Sequence, residues 1–317
     1  MESLAQVSDA RGTGRAPDFF LIGVPRAATT SLYAALAQHP QLFLPGLKEA
    51  CYTCREFDAG LRRTDTRYFH DRAEYLALFA AARPDQLIGE GCIYNIYSAR
   101  APVEIRDLNA RARILVQLRD PIEQMYSNHG LKLIMRDIAQ DRFEDALAAQ
   151  AARRAGRNGT PEAIRDYDLR DKATVAPGLT RYIAEFGRDR VHISLVEDFD
   201  TDPQSVLRSI FSFLGVCPAY EPDVGAFVVN RVARVDRLNR AMGSRRVIAA
   251  SKRLVPGFLH PMARSLASRV FRANRRPAPR PPLDPAVRVR LREEFRPEVE
   301  RLSELVGRDL AEVWWPR

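Results

Sequence analysis

Cysteine is scarce in this chain, four residues in 317, which is too few for a disulfide scaffold at this length. Residues 1–17 lack the apolar stretch of a signal peptide. The apolar run nearest the start, Phe19–Val24, is far too short to cross a bilayer. These absences point to a reducing, cytoplasmic setting. Acidic residues are missing altogether from 241–280, a segment that carries ten Lys/Arg, among them Arg245, Arg246, Lys252 and Arg253. The rest of the chain holds 39 basic against 40 acidic residues, so the net charge of +9 is local to that segment. Local basicity suits an anionic partner, such as a charged ligand or an anionic membrane surface carrying a lipid acceptor. Only Phe258 and Phe271 interrupt it with rings, too few to stack the bases of a nucleic acid.

What remains is an ordinary globular composition, 46% hydrophobic and 28% charged. Asp18–Val24 reads as a buried central strand, and Thr29–Gln38 as a helix closed by His39-Pro40. Asp71–Ala82 has helical periodicity, Leu87–Glu90 reads as a short strand and Val103–Ala110 as a helix. Arg113–Leu118 repeats the strand pattern. Pro121 then suits the first position of a helix that Asp120 can cap. Residues 190–199 read as a strand, and 202–216 as a helix opened by Pro203 and closed at Gly215. Residues 275–285 are proline-rich and read as an extended linker. The helix after it, Ala286–Leu305, aligns Leu291, Phe295, Val299, Leu302 and Val306. Alternating strands and helices give an α/β fold, a central parallel sheet flanked by helices in three layers. The expected organisation is a tail, 1–16, followed by one domain, 17–317, containing the basic segment 241–283.

The loop between the first strand and helix, Gly23-Val-Pro-Arg-Ala-Ala-Thr29, carries the first chemical signal. It sits where a nucleotide-binding loop G-x-x-x-x-G-K-[ST] would, yet Ala28 stands at the second glycine and Thr29 at the lysine. Backbone N–H groups at a helix start still attract an anion. Arg26 adds charge, Ala27 and Ala28 let a ligand approach, and Thr29 and Thr30 add hydroxyl donors. A second anion site is suggested at Arg119, which leaves the carboxyl end of a strand, with Ser127 eight residues on. The missing lysine and the lack of a metal-carrying aspartate count against the alternative of an ATP-dependent kinase. A non-enzymatic nucleic-acid-binding protein is the other alternative, and the sparse aromatics count against it.

Two stretches in order, "FLIGVPRAATTSLYAALAQHPQLFLPGLKE" and "ILVQLRDPIEQMYS", resemble the two signature motifs of the sulfotransferase family. "VEDFDTDPQSVLRSIFSFLGV" and "LREEFRPEVERLSELVGRDLAEVW" are similar to its later elements, so the likeness runs from Pro17 to Trp314. The nearest branch is the bacterial group similar to heparan sulfate and other glycosaminoglycan sulfotransferases. The resemblance implies a P-loop-like fold and 3′-phosphoadenosine 5′-phosphosulfate as donor, with 3′,5′-adenosine bisphosphate released and no metal. It implies that Arg26, Ala27, Ala28, Thr29, Thr30 and Ser31 hold the phosphosulfate, and that Arg119 and Ser127 hold the 3′-phosphate. It implies a small-molecule, glycan or lipid acceptor carrying a hydroxyl or amine, and no nucleic acid.

By the same resemblance Glu49 is the general base and Lys48 assists the transferring group. The family's usual lysine is Arg26 here and its usual glycine is Ala28. An arginine keeps the charge but cannot donate a proton. His129 is the second candidate base; its i,i+2 spacing from Ser127 aims it off that helix face. His39, before Pro40, reads as structural. Glu90 is expected to line the acceptor cleft, while Gly91 supplies no charge. Cys51-Tyr-Thr-Cys54, with Cys92 and His70, could be imagined as a metal set, but the spacings match no familiar site. The two cysteines are expected to shape the cleft beside Glu49. Acceptor loops are expected around 50–70, 130–175 and 225–275.

Overall fold

The computed structural model describes residues 14–58, 68–135, 138, 140–155, 168–224, 231–233, 275–277 and 282–316. The tail up to residue 13 and all of the basic segment 241–280 except 275–277 lie outside the described residues, as do parts of the expected acceptor loops. No helix among the described residues is long and apolar enough to cross a membrane.

The chain divides into two compact units. One comprises Met1–Met125, Arg157–Val228 and Val289–Arg317, the other Tyr126–Gly156 and Val229–Arg288. The first contains a five-stranded sheet. Its strands are β1 (Phe19–Leu21), β2 (Leu42–Phe43), β3 (Leu87–Gly91), β4 (Arg113–Leu118) and β5 (Val191–Leu195). They lie in the order β2-β3-β1-β4-β5, and every pairing is parallel. β1 is therefore central, as its apolar run requires: a strand buried on both faces has no polar side to show. Its alternation divides the core. Phe20 and Ile22 pack with Ile114, Val116 and Leu118 on one face, and Phe19 and Leu21 with Leu115 on the other.

The helices fall near their expected places. α1 is Thr29–Leu36, α2 Arg72–Ala77, α3 Ala101–Leu108 and α4 Pro121–Met135. α2 is shorter than its periodicity suggested, with Asp71 as N-cap accepting from the Glu74 amide. α5 is Phe143–Ala155, α6 Leu169–Ala173 and α7 Ala176–Phe186. The strand read over 190–199 stops at Leu195, and Val196–Thr201 turns into a short helix, α8. Continuous hydrophobicity cannot distinguish a buried strand from the buried start of a helix. α9 (Pro203–Leu214) begins at Pro203 and ends at Gly215, whose φ of 72° is the left-handed cap that glycine adopts freely. α10 (Pro285–Val306) buries Leu291, Phe295, Val299 and Leu302, and α11 (Leu310–Trp314) follows.

In the second unit, β6 (Arg231–Ala233) and β7 (Arg275–Pro277) pair antiparallel. The start of the proline-rich stretch is thus a paired strand rather than a free linker, since proline's fixed φ is compatible with extended pairing at an edge. The unit also carries a half-open pocket of about 330 Å³ whose lining includes Tyr126, His129, Asp141, Phe143 and Asp284.

Asp120 caps α4 as expected: its Oδ1 accepts from the Ile122 amide at 2.8 Å, and its carbonyl from the Gln124 amide at 2.8 Å. Burial raises its carboxyl pKa to about 6, the Ile122 bond pulling only partly the other way. The folded pKa exceeds the unfolded value, so this carboxyl's contribution to stability is full below the unfolded pKa and is lost as pH rises through about 6. An asparagine keeps the acceptor and has no proton to lose. Asp120→Asn is expected to flatten the fall in unfolding free energy between about pH 5 and pH 8 by roughly 1–2 kcal/mol, read by urea denaturation at both pH values. A pH profile identical to that of the parent chain would show that Asp120 is not the group responsible.

Candidate active site

Because every strand is parallel, the segments after β1, β2, β3 and β4 all emerge at the carboxyl edge of the sheet, where such folds hold their ligands. Among the described residues, four non-glycine residues have positive φ, and all lie in two of these segments: Arg26 (69°) and Ala28 (52°) after β1, Glu49 (66°) and Cys51 (52°) after β2. An L-residue in this region costs on the order of 1–2 kcal/mol, so strain is gathered at one edge of one sheet, as it is at functional sites.

In the loop after β1, Gly23 has a φ of 157°, which a side chain would strain. Ala28 is the N-cap of α1 and makes no side-chain cap bond, being unable to. The Ser31 and Leu32 N–H groups bond the Ala28 carbonyl, so the N–H groups at the very start of α1, on Thr29 and Thr30, are the ones without an acceptor in the preceding turn of helix. Arg26 and Ala28, both at positive φ, flank Ala27, whose N–H bonds the Val24 carbonyl at 3.4 Å and closes the loop. Thr29 and Ser31 are buried on α1, and Thr30 is exposed. Arg119, at the end of β4, donates from Nη1 to the Arg26 carbonyl at 2.7 Å. The two sequence-predicted anion elements thus meet directly. Glu197 and Asp200 face Arg119 from α8, and its positive charge counters the burial that raises both carboxyl pKa values. Ser127 is buried on α4 within the second unit.

Lys48 and Glu49 form an ion pair, Nζ to Oε1 at 3.1 Å, with side chains only 16% and 28% exposed. The Glu49 amide bonds the Gly91 carbonyl at 2.8 Å, fixing the pair to the end of β3. Burial raises the Glu49 pKa and Lys48 opposes it, which yields a carboxylate more basic than an exposed one but kept available as an anion. Gly91 is glycine for a steric reason: a Cβ there would lie 2.7 Å from Cδ2 of Tyr33 and 3.5 Å from the Lys48 Cε. Tyr33, held by a 2.7 Å bond from its hydroxyl to the Pro45 carbonyl, thus carries α1 against the Lys48 segment. The sequence reading gave Tyr33 no role, since a tyrosine on the apolar face of a helix reads as core.

Other candidates move. Glu90 is 1% exposed, so it lines no open cleft; its Oε2 accepts from Tyr75 at 2.9 Å, and Oε1 has no partner. Burial, with Cys92 adding to it and the Tyr75 hydrogen bond opposing it, raises its pKa to about 8. Its position in an apolar strand was the available signal, since a glutamate there must find a buried partner. Cys51 and Cys54 are fully buried and do not face a cleft; they pack with Cys92 in the core. His70 points elsewhere, with Nε2 2.9 Å from the Asp58 carboxylate. His39 is structural: Nε2 lies 3.0 Å from the Cys217 carbonyl, and its ring packs on Phe211. His129 is buried, with Nε2 3.0 Å from the Gln140 carbonyl.

Residues 17–219 match the model of the Sulfotransferase family. Human carbohydrate sulfotransferase 15 is 24% identical over 251 residues, covering 65% of this chain and 45% of that protein. Human bifunctional heparan sulfate N-deacetylase/N-sulfotransferase 3 is 26% identical over 213 residues, 65% of this chain and 23% of its own. The chain therefore spans less than half the length of these relatives. A sulfotransferase structure from Alicyclobacillus acidocaldarius superposes with a TM-score of 0.68 at 23% identity, covering 94% of this chain and 98% of that one, and so shares the fold. With the family model matched over well over half its length, this chain belongs to the sulfotransferase family.

Proposed function

We propose that the protein transfers a sulfuryl group from 3′-phosphoadenosine 5′-phosphosulfate to a hydroxyl or amine of a glycan, small-molecule or lipid acceptor. The observation that carries this reading is the strained edge of the sheet. An uncapped helix start with Arg26 in its loop lies on the strand next to the one that pins the Lys48–Glu49 pair. One element suits an anionic donor and the other a proton acceptor.

In this reading the amides and side chains from Arg26 to Ser31 hold the phosphosulfate. Arg119 holds the 3′-phosphate; its guanidinium has five N–H donors, of which Nη1 braces the loop through the Arg26 carbonyl. Glu49 takes the proton of the acceptor as its oxygen or nitrogen bonds to sulfur, while the bond from sulfur to the donor's phosphate oxygen breaks. Charge grows on that oxygen, and Arg26 and Lys48 stabilise it electrostatically rather than by proton donation from the guanidinium. The relatives named for carbohydrate and heparan sulfate support a glycan as the acceptor class.

Calorimetric titration with 3′,5′-adenosine bisphosphate is expected to give micromolar binding, about −8 kcal/mol, with none for ATP·Mg²⁺. Tight ATP binding with a silent bisphosphate would replace this reading with a kinase. Arg119→Ala is expected to weaken bisphosphate binding by roughly 2–5 kcal/mol, and unchanged affinity would remove Arg119 from the donor site. Glu49→Gln is expected to lower turnover on a working acceptor by about 10²–10⁴-fold with donor binding nearly intact. Near-normal turnover in that variant would remove Glu49 as the base.

A further inference from the structure

The three thiols of Cys51, Cys54 and Cys92 converge in the core of the first unit, contributed by the segment after β2 and the end of β3. Cys92 Sγ lies 3.7 Å from Cys51 Sγ and 3.7 Å from Cys54 Sγ, and all three sulfurs fall within 4.8 Å of one another. Sulfur ligands of a tetrahedral zinc ion, at about 2.3 Å from the metal, sit about 3.8 Å apart. Two edges of the sulfur triangle, both to Cys92, thus already hold that spacing, and the third lies within 4.8 Å. Two ligands come as C-x₂-C, which lets one short turn present both thiols to one point.

From this geometry we infer that Cys51, Cys54 and Cys92 bind a thiophilic d¹⁰ metal ion, Zn²⁺ or a softer ion of the same class, with the fourth coordination position left to a non-protein ligand. Binding breaks three S–H bonds, forms three metal–sulfur bonds and releases three protons to solvent. Hard cations such as Mg²⁺ are excluded by the all-sulfur donor set. The sequence alone gave no metal here because His70 was the imagined fourth ligand and Cys92 is 38 residues from Cys54; the fold removes the first and supplies the second.

The site would act on the candidate base through the backbone. Cys51 is left-handed, two residues after the left-handed Glu49, and its thiol lies 3.4 Å from the Glu49 carbonyl. A metal holding Cys51 to Cys54 and Cys92 would brace both strained residues at once. The inference does not depend on the sulfuryl-transfer reading, because it is tested without donor or turnover.

The full chain, reduced and stripped with chelator, is dialysed against buffered Zn²⁺, and metal is counted per chain. One equivalent retained by the parent chain and by Cys217→Ser, whose exposed cysteine lies outside the cluster, but lost in Cys92→Ser and in Cys54→Ala, is the expected result. X-ray absorption on the zinc-loaded parent chain, which needs no variant to fold, is expected to show three sulfur neighbours at about 2.3 Å. No retained zinc, retention that survives both cluster substitutions, or a shell of nitrogen and oxygen only would each overturn the proposal.

Discussion

The pairing of β1 with β4 governs the geometry of the candidate site, because it does not stop where the strands do. The Ile22 amide bonds the Leu115 carbonyl, the Gln117 amide bonds the Gly23 carbonyl, and the Val24 amide bonds the Gln117 carbonyl, at 2.9–3.0 Å. These bonds carry the ladder into the loop itself. Arg119 then bonds the Arg26 carbonyl from the end of β4, extending the same tie by a side chain. A loop held along its length by a central strand can keep Arg26 and Ala28 left-handed, a conformation that an unsupported loop of these residues would leave.

The other strained segment depends on β3. The backbone bond from Glu49 to Gly91 fixes its start, and the buried cysteines fix its middle. Below it, Glu90 shares a bond with Tyr75, whose ring stacks on Tyr52 at 4.3 Å. Two carboxyl groups held at the end of β3, Glu90 within the strand and Glu49 bonded to Gly91 by its amide, thus have different surroundings. Glu90, without a cation partner and with its pKa raised to about 8, is held neutral at neutral pH. Glu49 keeps Lys48 at 3.1 Å and remains the one available as a carboxylate. Only one of the two is equipped to accept a proton from a ligand at the edge.

Much of this fold was legible in the chain. Apolar runs marked β1 and β4, and Asp120-Pro121 and Asp202-Pro203 marked helix starts, because these signals act within a few residues. The misreadings share a cause. The end of β5, the paired strand Arg275–Pro277 and the burial of Glu90 were each decided by contacts remote in sequence. For the site, the Arg26 loop and the Lys48-Glu49 pair were visible as motifs, whereas their strain was not, since Glu49 and Cys51 carry no residue signal for positive φ. The convergence of three thiols was equally hidden, because Cys92 reaches the C-x₂-C turn only through the parallel pairing of β3 beside β2.

The absence of a side chain at residue 91 has a consequence for how charge is distributed at this edge. A Cβ there would force the Tyr33 ring to shift while making only ordinary contact with the Lys48 stem, so glycine is what lets Tyr33 pack over the end of β3 beside the Lys48–Glu49 pair. A larger residue at 91 would have to displace that ring. The ammonium beside the carboxylate therefore comes from the segment after β2, tied to Glu49 by adjacency in the chain and to α1 through Tyr33. Among the described residues of these two segments, the cation paired with Glu49 is Lys48, while Arg26 belongs to the loop after β1 that Arg119 braces. The positive charge beside the carboxylate and that in the anion loop are therefore held by separate ties to the sheet edge.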